Sequence, residues 1–206
     1  MMYLELSLIA IIAYLIGSIP TGYLIVKKLK GIDIRKTGSG STGATNVKRQ
    51  LGTKWFFGVM LIDAIKGFLA VYIALTFFDN NADFYGLAPM IAGIAVILGH
   101  CKSIFLGFTG GKSVATGIGT LIALCPQVGW ICAFIWAFIT FFTKYVSLGS
   151  VIATTLSVLL MYVFYPNNFY IWYSAVLAIL VVLTHTENIK RLVAGTENKI
   201  GSSKKQ

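Results

Sequence analysis

The chain reads as an all-α integral membrane protein of about seven transmembrane helices, with its N-terminus outside, its C-terminus cytoplasmic and short cytoplasmic loops between helices. Three observations carry that reading. Of 206 residues 57% are apolar, and the mean hydropathy is +0.80. Only 12% are charged, against about 25% in a soluble domain. The apolar residues also gather into runs of roughly 20, the length that crosses a hydrocarbon core. A soluble fold of this size cannot bury so much apolar surface in one core. The same composition excludes a disordered chain and a disulfide-rich secreted scaffold.

The first span runs from about Tyr3 to Val26. It lacks a basic leader and a small-residue cleavage site, so it is a retained helix. Near its end, Gly17-Ser18-Ile19-Pro20-Thr21-Gly22 combines small residues with a kink, as tight helix packing asks. The second span runs from Trp55 to Phe78 and the third from Phe84 to Leu98. The apolar stretch from Val114 to Phe142 is long for one span and short for two. Charge decides between them. Segment 27–54 carries Lys27, Lys28, Lys30, Arg35, Lys36, Lys48, Arg49 and Lys54, whereas 79–83 carries only Asp79 and Asp83. Positive loops stay inside. The tail, with Lys190, Arg191, Lys199, Lys204 and Lys205, is then also inside only if 114–142 crosses twice. The turn falls at Cys125-Pro126-Gln127, where proline breaks a helix, and leaves an unusually short fourth span. Leu148–Phe164 and Tyr170–Thr184 complete the set. With no internal repeat or soluble insertion, residues 1–206 are expected to form one membrane domain.

Lys and Arg total 17 against 7 Asp and Glu, a net charge of +10. In a soluble protein that suggests nucleic acid; here positive cytoplasmic loops account for it, and no nucleic-acid partner is expected. Cys101, Cys125 and Cys132 have no metal-ligand spacing and read as apolar fillers.

Polarity gathers in three stretches assigned to the cytoplasmic face. In 31–52, Gly38, Gly40, Gly43 and Gly52 sit among Ser39, Ser41, Thr42, Thr45 and Asn46, with Lys48 and Arg49 following. Glycine lets backbone N–H groups curl around an anion, and the basic residues suit phosphate. A flexible basic loop on the membrane surface explains the same residues. In 99–119, Gly110-Gly111-Lys112 precedes a helix start at Ser113 or Val114, a ready anion site; Lys112 as a positive-inside anchor is the plainer alternative. His100 alone reads as a satisfied histidine at a helix end. In 185–200, a continuing helix puts His185, Asn188, Ile189 and Leu192 on one face and Glu187, Lys190 and Arg191 on the other, with Glu187 and Arg191 in a favourable i,i+4 order. An interfacial amphipathic helix explains the charged face but not His185 and Asn188. Within the bilayer, Asp63 and Lys66 share a face of the second span, either as a structural pair or as a wall of the active-site cavity.

Basic and glycine-rich segments beside a multi-span body suit an enzyme joining a phosphorylated molecule to a lipid chain. The His-x4-Asp dyad of many acyltransferases is absent, since Phe105 follows His100 at that spacing and Lys190 follows His185. A transporter for an anionic lipid or phosphate ester is the rival from another class, but polarity gathers at one face rather than at the midplane. A lipid phosphotransferase needs an acidic metal cluster, and Asp33 stands alone in its loop.

The same residues resemble the bacterial acyl-phosphate-dependent glycerol-3-phosphate acyltransferases, the PlsY family. The match rests on Gly38-Ser39-Gly40, Gly43-Ala44-Thr45-Asn46 and Arg49; on Gly99-His100, Phe105, Phe108, Gly110-Gly111-Lys112 and Val114-Ala115-Thr116; and on His185, Asn188-Ile189, Arg191-Leu192, Gly195 and Glu197. Gly17-Ser18-Ile19-Pro20, the Asp63-Ile65-Lys66-Gly67 spacing and Tyr145-Ser147-Leu148 are also similar. Ser41, Ser103 and Ser113 depart from the family's usual Asn, Pro and Gly. The resemblance implies a seven-helix enzyme of the inner membrane, with its site on the cytoplasmic face. The implied reaction is acyl phosphate plus sn-glycerol 3-phosphate giving 1-acylglycerol 3-phosphate (lysophosphatidic acid) and phosphate, the first acylation of phospholipid synthesis. It implies no metal and no organic cofactor, and neither acyl-CoA nor acyl carrier protein as direct donor. Its partners are acyl phosphate, glycerol 3-phosphate and membrane lipids, with the acyl-phosphate-forming transacylase as pathway neighbour. On this resemblance His185, Asn188, Lys112 and Ser39 are the expected catalytic residues. Arg49, Lys112, Gly38, Ser39, Gly40, Gly43, Asn46, Gly110 and Gly111 are expected to bind substrate phosphate, and Glu197, Asp63 and Lys66 to support the site. His185 is the candidate general base, with a substrate phosphate oxygen as the alternative.

Overall fold

The computed structural model describes residues 2–78, 86–166 and 170–201. Asp79, Asp83, Lys204 and Lys205, used above to orient the chain, and Phe84 lie outside these. Among the described residues the only regular structure is helical, apart from an isolated antiparallel bridge between Ser103 and Thr109. The chain forms two compact units, Met1–Pro126 and Gln127–Gln206.

In the first unit, α1 (Met2–Ser18) and α2 (Thr21–Lys30) follow one another across a break. Pro20 causes it. Proline has no N–H to return to Ile16, so the Ile16 carbonyl accepts from Ile19 instead, and the Thr21 N–H turns to the Ile19 carbonyl. The first span was expected to end near Val26; the helix runs on through Lys27, Lys28 and Lys30. Cations suit the negative end of a helix, and Gly31, at φ 71°, stops it in a left-handed cap. A short 3-10 turn (Ile34–Lys36), α3 (Ala44–Leu51) and α4 (Thr53–Phe77) come next, followed by α5 (Leu87–Cys101), a second 3-10 turn (Ile104–Leu106) and α6 (Val114–Leu124). Val26, Ile34, Val47 and Val59 form a buried cluster that packs α2, the first 3-10 turn and α3 onto α4. The segment read as a basic loop is therefore an ordered cap.

Helices do not associate in lipid by hiding from water, so close backbone approach carries the packing. A Cβ on Gly17 of α1 would lie 2.1 Å from the Val96 carbonyl oxygen of α5, and one on Gly99 of α5 would lie 2.2 Å from that of Tyr14. The α4–α6 contact repeats the device, with Gly67 against the Thr116 carbonyl at 2.1 Å and Gly119 against that of Ala64 at 2.0 Å. No larger residue fits these four positions without separating the helices.

The second unit holds α7 (Pro126–Thr143), α8 (Val146–Phe164), α9 (Tyr170–Thr184) and α10 (Thr186–Val193). The break expected at Cys125-Pro126-Gln127 is present. Pro126 occupies the first helical position of α7, where its missing N–H is harmless. Cys132 contacts the Ala153 carbonyl at 3.4 Å, tying α7 to α8. The Tyr165 hydroxyl donates to Gln127 at the far end of the same pair. α10 leaves α9 at a bend of 65°, so the continuous helix considered for 185–200 is broken at its first residue.

Among the described residues, 4 helical segments are long and apolar enough to cross a membrane, or 5 if the bent α9–α10 pair counts as one; α5 and α6 are shorter apolar helices. Large side chains such as Leu61, Phe134, Leu159 and Ile179 face outward, as lipid-facing positions do. The protein is an all-helical integral membrane protein.

Candidate active site

The first glycine-rich loop is shaped from within by Asn46. This side chain is 1% exposed. Its Nδ2 donates to the carbonyls of Ile34 (3.3 Å), Thr37 (3.0 Å) and Ser41 (2.9 Å), and its Oδ1 accepts from the Ser39 N–H at 3.3 Å. Gly38 must be glycine: it has φ +57°, and a Cβ there would meet Asn46 Oδ1 at 2.2 Å. With Asn46 turned inward, Gly38, Ser39 and Gly40 are left exposed on the outer surface of the loop. Arg49, one turn along α3, is exposed and runs its stem past Gly38. Among the described residues its guanidinium has no ion-pair partner. The Gly43 N–H, just before α3, is held by the Ser41 hydroxyl at 3.2 Å.

Asp33 and Arg35 were not expected at the site. Arg35 donates to both carboxylate oxygens of Asp33, the shortest contact being 2.7 Å. Its other arm reaches the Leu106 carbonyl at 3.0 Å and the Thr109 hydroxyl at 3.4 Å. The Thr42 N–H reaches the Gly110 carbonyl at 3.4 Å. These contacts fasten the first glycine loop to the second. The Arg35 hydrogen bonds hold the Asp33 carboxyl down to about 2. Its pairing is therefore complete above the ordinary value of 3.8 and is lost only as the pH falls through about 2. Arg35→Lys keeps the charge but not the fork. The expected result is a several-fold rise in KM for a phosphate substrate with little change in melting temperature.

In the second loop, Gly110 and Gly111 are packed against His100, a cause that spacing alone did not suggest. A Cβ on Gly110 would lie 2.2 Å from the His100 carbonyl oxygen, and one on Gly111 2.1 Å from His100 Nε2. Lys112 follows, half-buried, directly before the N-terminus of α6. Ser113 sits there at φ 58°, the left-handed conformation natural to glycine. Its hydroxyl donates to the Ile97 carbonyl at 2.9 Å, which anchors the strained residue to α5.

Asp63 and Lys66 lie beneath this loop, 3% and 6% exposed. Their ion contact is 3.0 Å, although Asp63 Oδ1 has no well-aligned hydrogen bond among the described residues. Lys66 Nζ also donates to the carbonyls of Gly17 (3.0 Å) and Ile19 (3.1 Å). The ammonium therefore caps the end of α1 that Pro20 leaves open. The pair is a structural one, and it borders a narrow crevice lined also by Thr42, His100 and Gly110.

The second unit carries the third motif. His185 caps α10 from the bend, and its Nδ1 lies 2.8 Å from the Val181 carbonyl. A carbonyl only accepts, so Nδ1 carries the hydrogen and Nε2 is the nitrogen able to take a proton. Asn188 Nδ2 donates to Glu197 Oε1 at 2.6 Å, Ser147 donates to the same oxygen at 2.9 Å, and Arg191 Nε donates to Oε2 at 2.7 Å. The chain reverses at Gly195, φ +68°, where the Thr196 N–H returns to the Arg191 carbonyl at 2.8 Å. That turn brings Glu197 back onto α10. The expected Glu187–Arg191 pairing does not form: Glu187 pairs with Lys190 at 2.8 Å, and Arg191 turns to Glu197. An exposed helix pair is worth only about 0.3–0.5 kcal/mol, whereas the Glu197 side chain, 5% exposed, needs its counter-charge.

Burial raises the Glu197 carboxyl, but the hydrogen bonds from Asn188, Arg191 and Ser147 outweigh it and hold the group below its usual range. Its stabilising contribution is present above the ordinary value near 4.5 and fades as the pH falls through the lowered one. Glu197→Gln preserves shape but sets an amide N–H against a donor on one side or the other. The expected loss is about 1–3 kcal/mol of stability, together with a fall in kcat. Melting temperature and turnover of the variant check both.

Among the described residues no three His, Cys, Asp or Glu side chains gather closely enough to hold a metal ion. The first unit carries Gly38, Ser39, Gly40, Gly43, Asn46, Arg49, Gly110, Gly111, Lys112, Asp63 and Lys66, joining Asn46 to Ser39 and setting Asp63 and Lys66 beside Gly110; the second carries His185, Asn188 and Glu197, joining the last two. Arg35 is a structural participant the sequence reading missed, and Ser147, named there only for its resemblance, was given no role. Their signal was weak: an Asp-x-Arg pair in a loop, and a serine at a helix start.

A family model described as glycerol-3-phosphate acyltransferase matches residues 7–195. A Nostoc relative named glycerol-3-phosphate acyltransferase is 46% identical, covering 94% of this chain and 91% of its own length. A Thermotoga petrophila relative of the same name is 44% identical, covering 96% of this chain and 98% of its own. The crystal structure of PlsY, described as an integral membrane glycerol 3-phosphate acyltransferase in its glycerol 3-phosphate form, superposes with a TM-score of 0.86 at 40% identity, covering 95% of this chain and 96% of that one. Its lysophosphatidic acid form superposes at 0.84, with 39% identity and 95% of each chain covered.

Proposed function

The chain belongs to the glycerol-3-phosphate acyltransferase family, and from that premise we propose that it transfers an acyl group from acyl phosphate to the 1-hydroxyl of sn-glycerol 3-phosphate. It is an acyltransferase of phospholipid synthesis whose product is lysophosphatidic acid. The observation that carries this reading is the likeness, along nearly the whole chain, to a protein described in both its glycerol 3-phosphate and lysophosphatidic acid forms.

In the proposed step the glycerol oxygen bonds to the acyl carbon, the acyl–phosphate C–O bond breaks, and inorganic phosphate leaves with the electron pair. The donor is already an activated anhydride, so positioning and charge neutralisation supply most of the rate. Lys112 and Arg49 hold phosphate groups. Ser39 and the exposed backbone of Gly38 and Gly40 line the phosphate pocket beside the half-buried Gly43, and Asn46 serves it through the loop it shapes. Gly110 and Gly111 carry Lys112. His185 accepts the glycerol proton at Nε2, a role its Nδ1 contact to Val181 supports. Asn188 orients the hydroxyl, braced by Glu197; Asp63 and Lys66 support the loops from below.

The whole chain is read as one domain of seven spans in the bacterial inner membrane, N-terminus outside and C-terminus inside, with the site on the cytoplasmic face. The family match through both units supports the single domain. The break before Pro126 supports a second crossing there. The partners are acyl phosphate, glycerol 3-phosphate and membrane lipids, with an acyl-phosphate-forming transacylase upstream.

The test is incubation of the detergent-purified protein with palmitoyl phosphate and glycerol 3-phosphate in the presence of chelator, measuring phosphate and lysophosphatidic acid together. Equal amounts of both are expected. Phosphate alone would mean donor hydrolysis, and would overturn the acceptor assignment. Neither product, from folded protein, would favour the transporter.

A further inference from the structure

We propose that His100 is a positioning residue for the acyl transfer: wedged between the buried Asp63–Lys66 pair and the Gly110–Gly111 turn, it sets where Lys112 is presented to substrate phosphate. The inference rests on the reading of Lys112 as a phosphate ligand, and it gives His100, otherwise the plain histidine of a helix end, a part in the reaction.

His100 stands in the last turn of α5 and is 8% exposed. A polar ring at such a position is costly unless its polar edges are used. One edge faces the ion pair: Nδ1 lies 3.7 Å from Asp63 Oδ1, a packing contact longer than a hydrogen bond. That oxygen is 3.0 Å from Lys66 Nζ, which is itself fixed to the carbonyls of Gly17 and Ile19. The ring is therefore backed by α4 and by the broken end of α1.

The other edge faces the loop. Nε2 occupies the space where any side chain on Gly111 would begin. The His100 carbonyl accepts the Gly111 N–H at 3.0 Å and fills the same space beside Gly110. Ring and backbone of one residue thus fix two successive glycines, and Lys112 is the next residue. Arg35 and the Thr42 N–H also hold the first loop to the second. A smaller residue at 100 leaves the turn unsupported on its Asp63 side. The lysine then keeps its charge but loses its place, and a misplacement of about 1 Å costs on the order of a hundredfold in rate.

The experiment compares His100→Ala, His100→Gln and Lys112→Arg in the purified full chain, reading KM and kcat for both substrates alongside melting temperature. Lys112→Arg should raise KM for the substrate whose phosphate Lys112 holds. His100→Ala should raise KM for the same substrate by roughly fivefold or more. His100→Gln reaches the Nε2 position and should recover part of that loss. The double variant His100→Ala/Lys112→Arg should be little worse than the weaker single, because both changes act through one contact. A His100→Ala variant that melts lower with unchanged KM and kcat would overturn the proposal, as would simple additivity with Lys112→Arg. If Lys112→Arg leaves both KM values unchanged, the reading of Lys112 itself falls, a result separable from any effect at His100. Should His100→Ala fail to insert, Gly111→Ala reads the same split, since its methyl group displaces the ring while keeping the histidine.

Discussion

Lys112→Ala is expected to lower acyl transfer by at least about a hundredfold while the chain still inserts and melts close to the parent temperature. Lys112 is half-buried and stands at the entrance to α6, whose first residue is Val114. A helix N-terminus presents unsatisfied N–H groups and partial positive charge to an anion. The lysine adds a full charge at the same point. The lysine holds the substrate phosphate in the bound state and, more strongly, in the transition state, so KM for that substrate should rise and kcat should fall. The Gly110–Gly111 turn keeps its anchorage in the variant, because backbone and His100 hold it. Lys112→Arg retains the charge on a longer, planar group and should fall between parent and alanine. A folded alanine variant with near-parent turnover would remove Lys112 from the reaction. Turnover assays with palmitoyl phosphate, run beside a melting curve, decide it.

The parts of this molecule that were legible in the sequence are those written in local pattern. Apolar runs mark the helices, and Pro126 marks the break between α6 and α7. Glycines beside Lys and Arg mark the two loops. What the sequence hid lies across long chain separations. Arg35 read as one loop cation among several because its bond to the Leu106 carbonyl reaches 71 residues away. Gly67 and Gly119 look unremarkable until each is seen against the opposing backbone. Lys27, Lys28 and Lys30 resembled a loop because charge outweighs helix propensity in a hydropathy reading, yet their stems continue α2. The Glu187–Arg191 pair was a sound local expectation, overturned because Glu197 folds back at Gly195 and offers Arg191 a buried carboxylate. Glycine was ambiguous as a signal: Gly38 and Gly111 fit a phosphate cradle, but their nearest reasons for being glycine are Asn46 and His100.

The second large effect is on stability. Asp63→Ala should cost about 3–5 kcal/mol, the range for removing one partner of a buried ion pair. It leaves the Lys66 ammonium buried on α4 with only the carbonyls of Gly17 and Ile19 to satisfy it. Lys66→Met has a different consequence. It leaves Asp63 without its counter-charge, and it also uncaps α1, because Pro20 supplies no N–H and Thr21 has turned to Ile19. The double variant Asp63→Ala/Lys66→Met removes both charges but still strands the Gly17 carbonyl, at about 1–3 kcal/mol, while the Ile19 carbonyl keeps the Thr21 N–H. It should therefore melt above Asp63→Ala and below the parent. Unfolding in micelles, followed by thermal scan, orders the variants. Equal melting of Asp63→Ala and parent would show that the pair does not hold the α1 break. If the order holds, the ion pair is the foundation on which His100 rests, and Asp63→Ala should also raise KM for the substrate whose phosphate Lys112 holds. An intramembrane charge pair with no direct part in the chemistry would then act on the reaction through the histidine and glycine turn stacked above it.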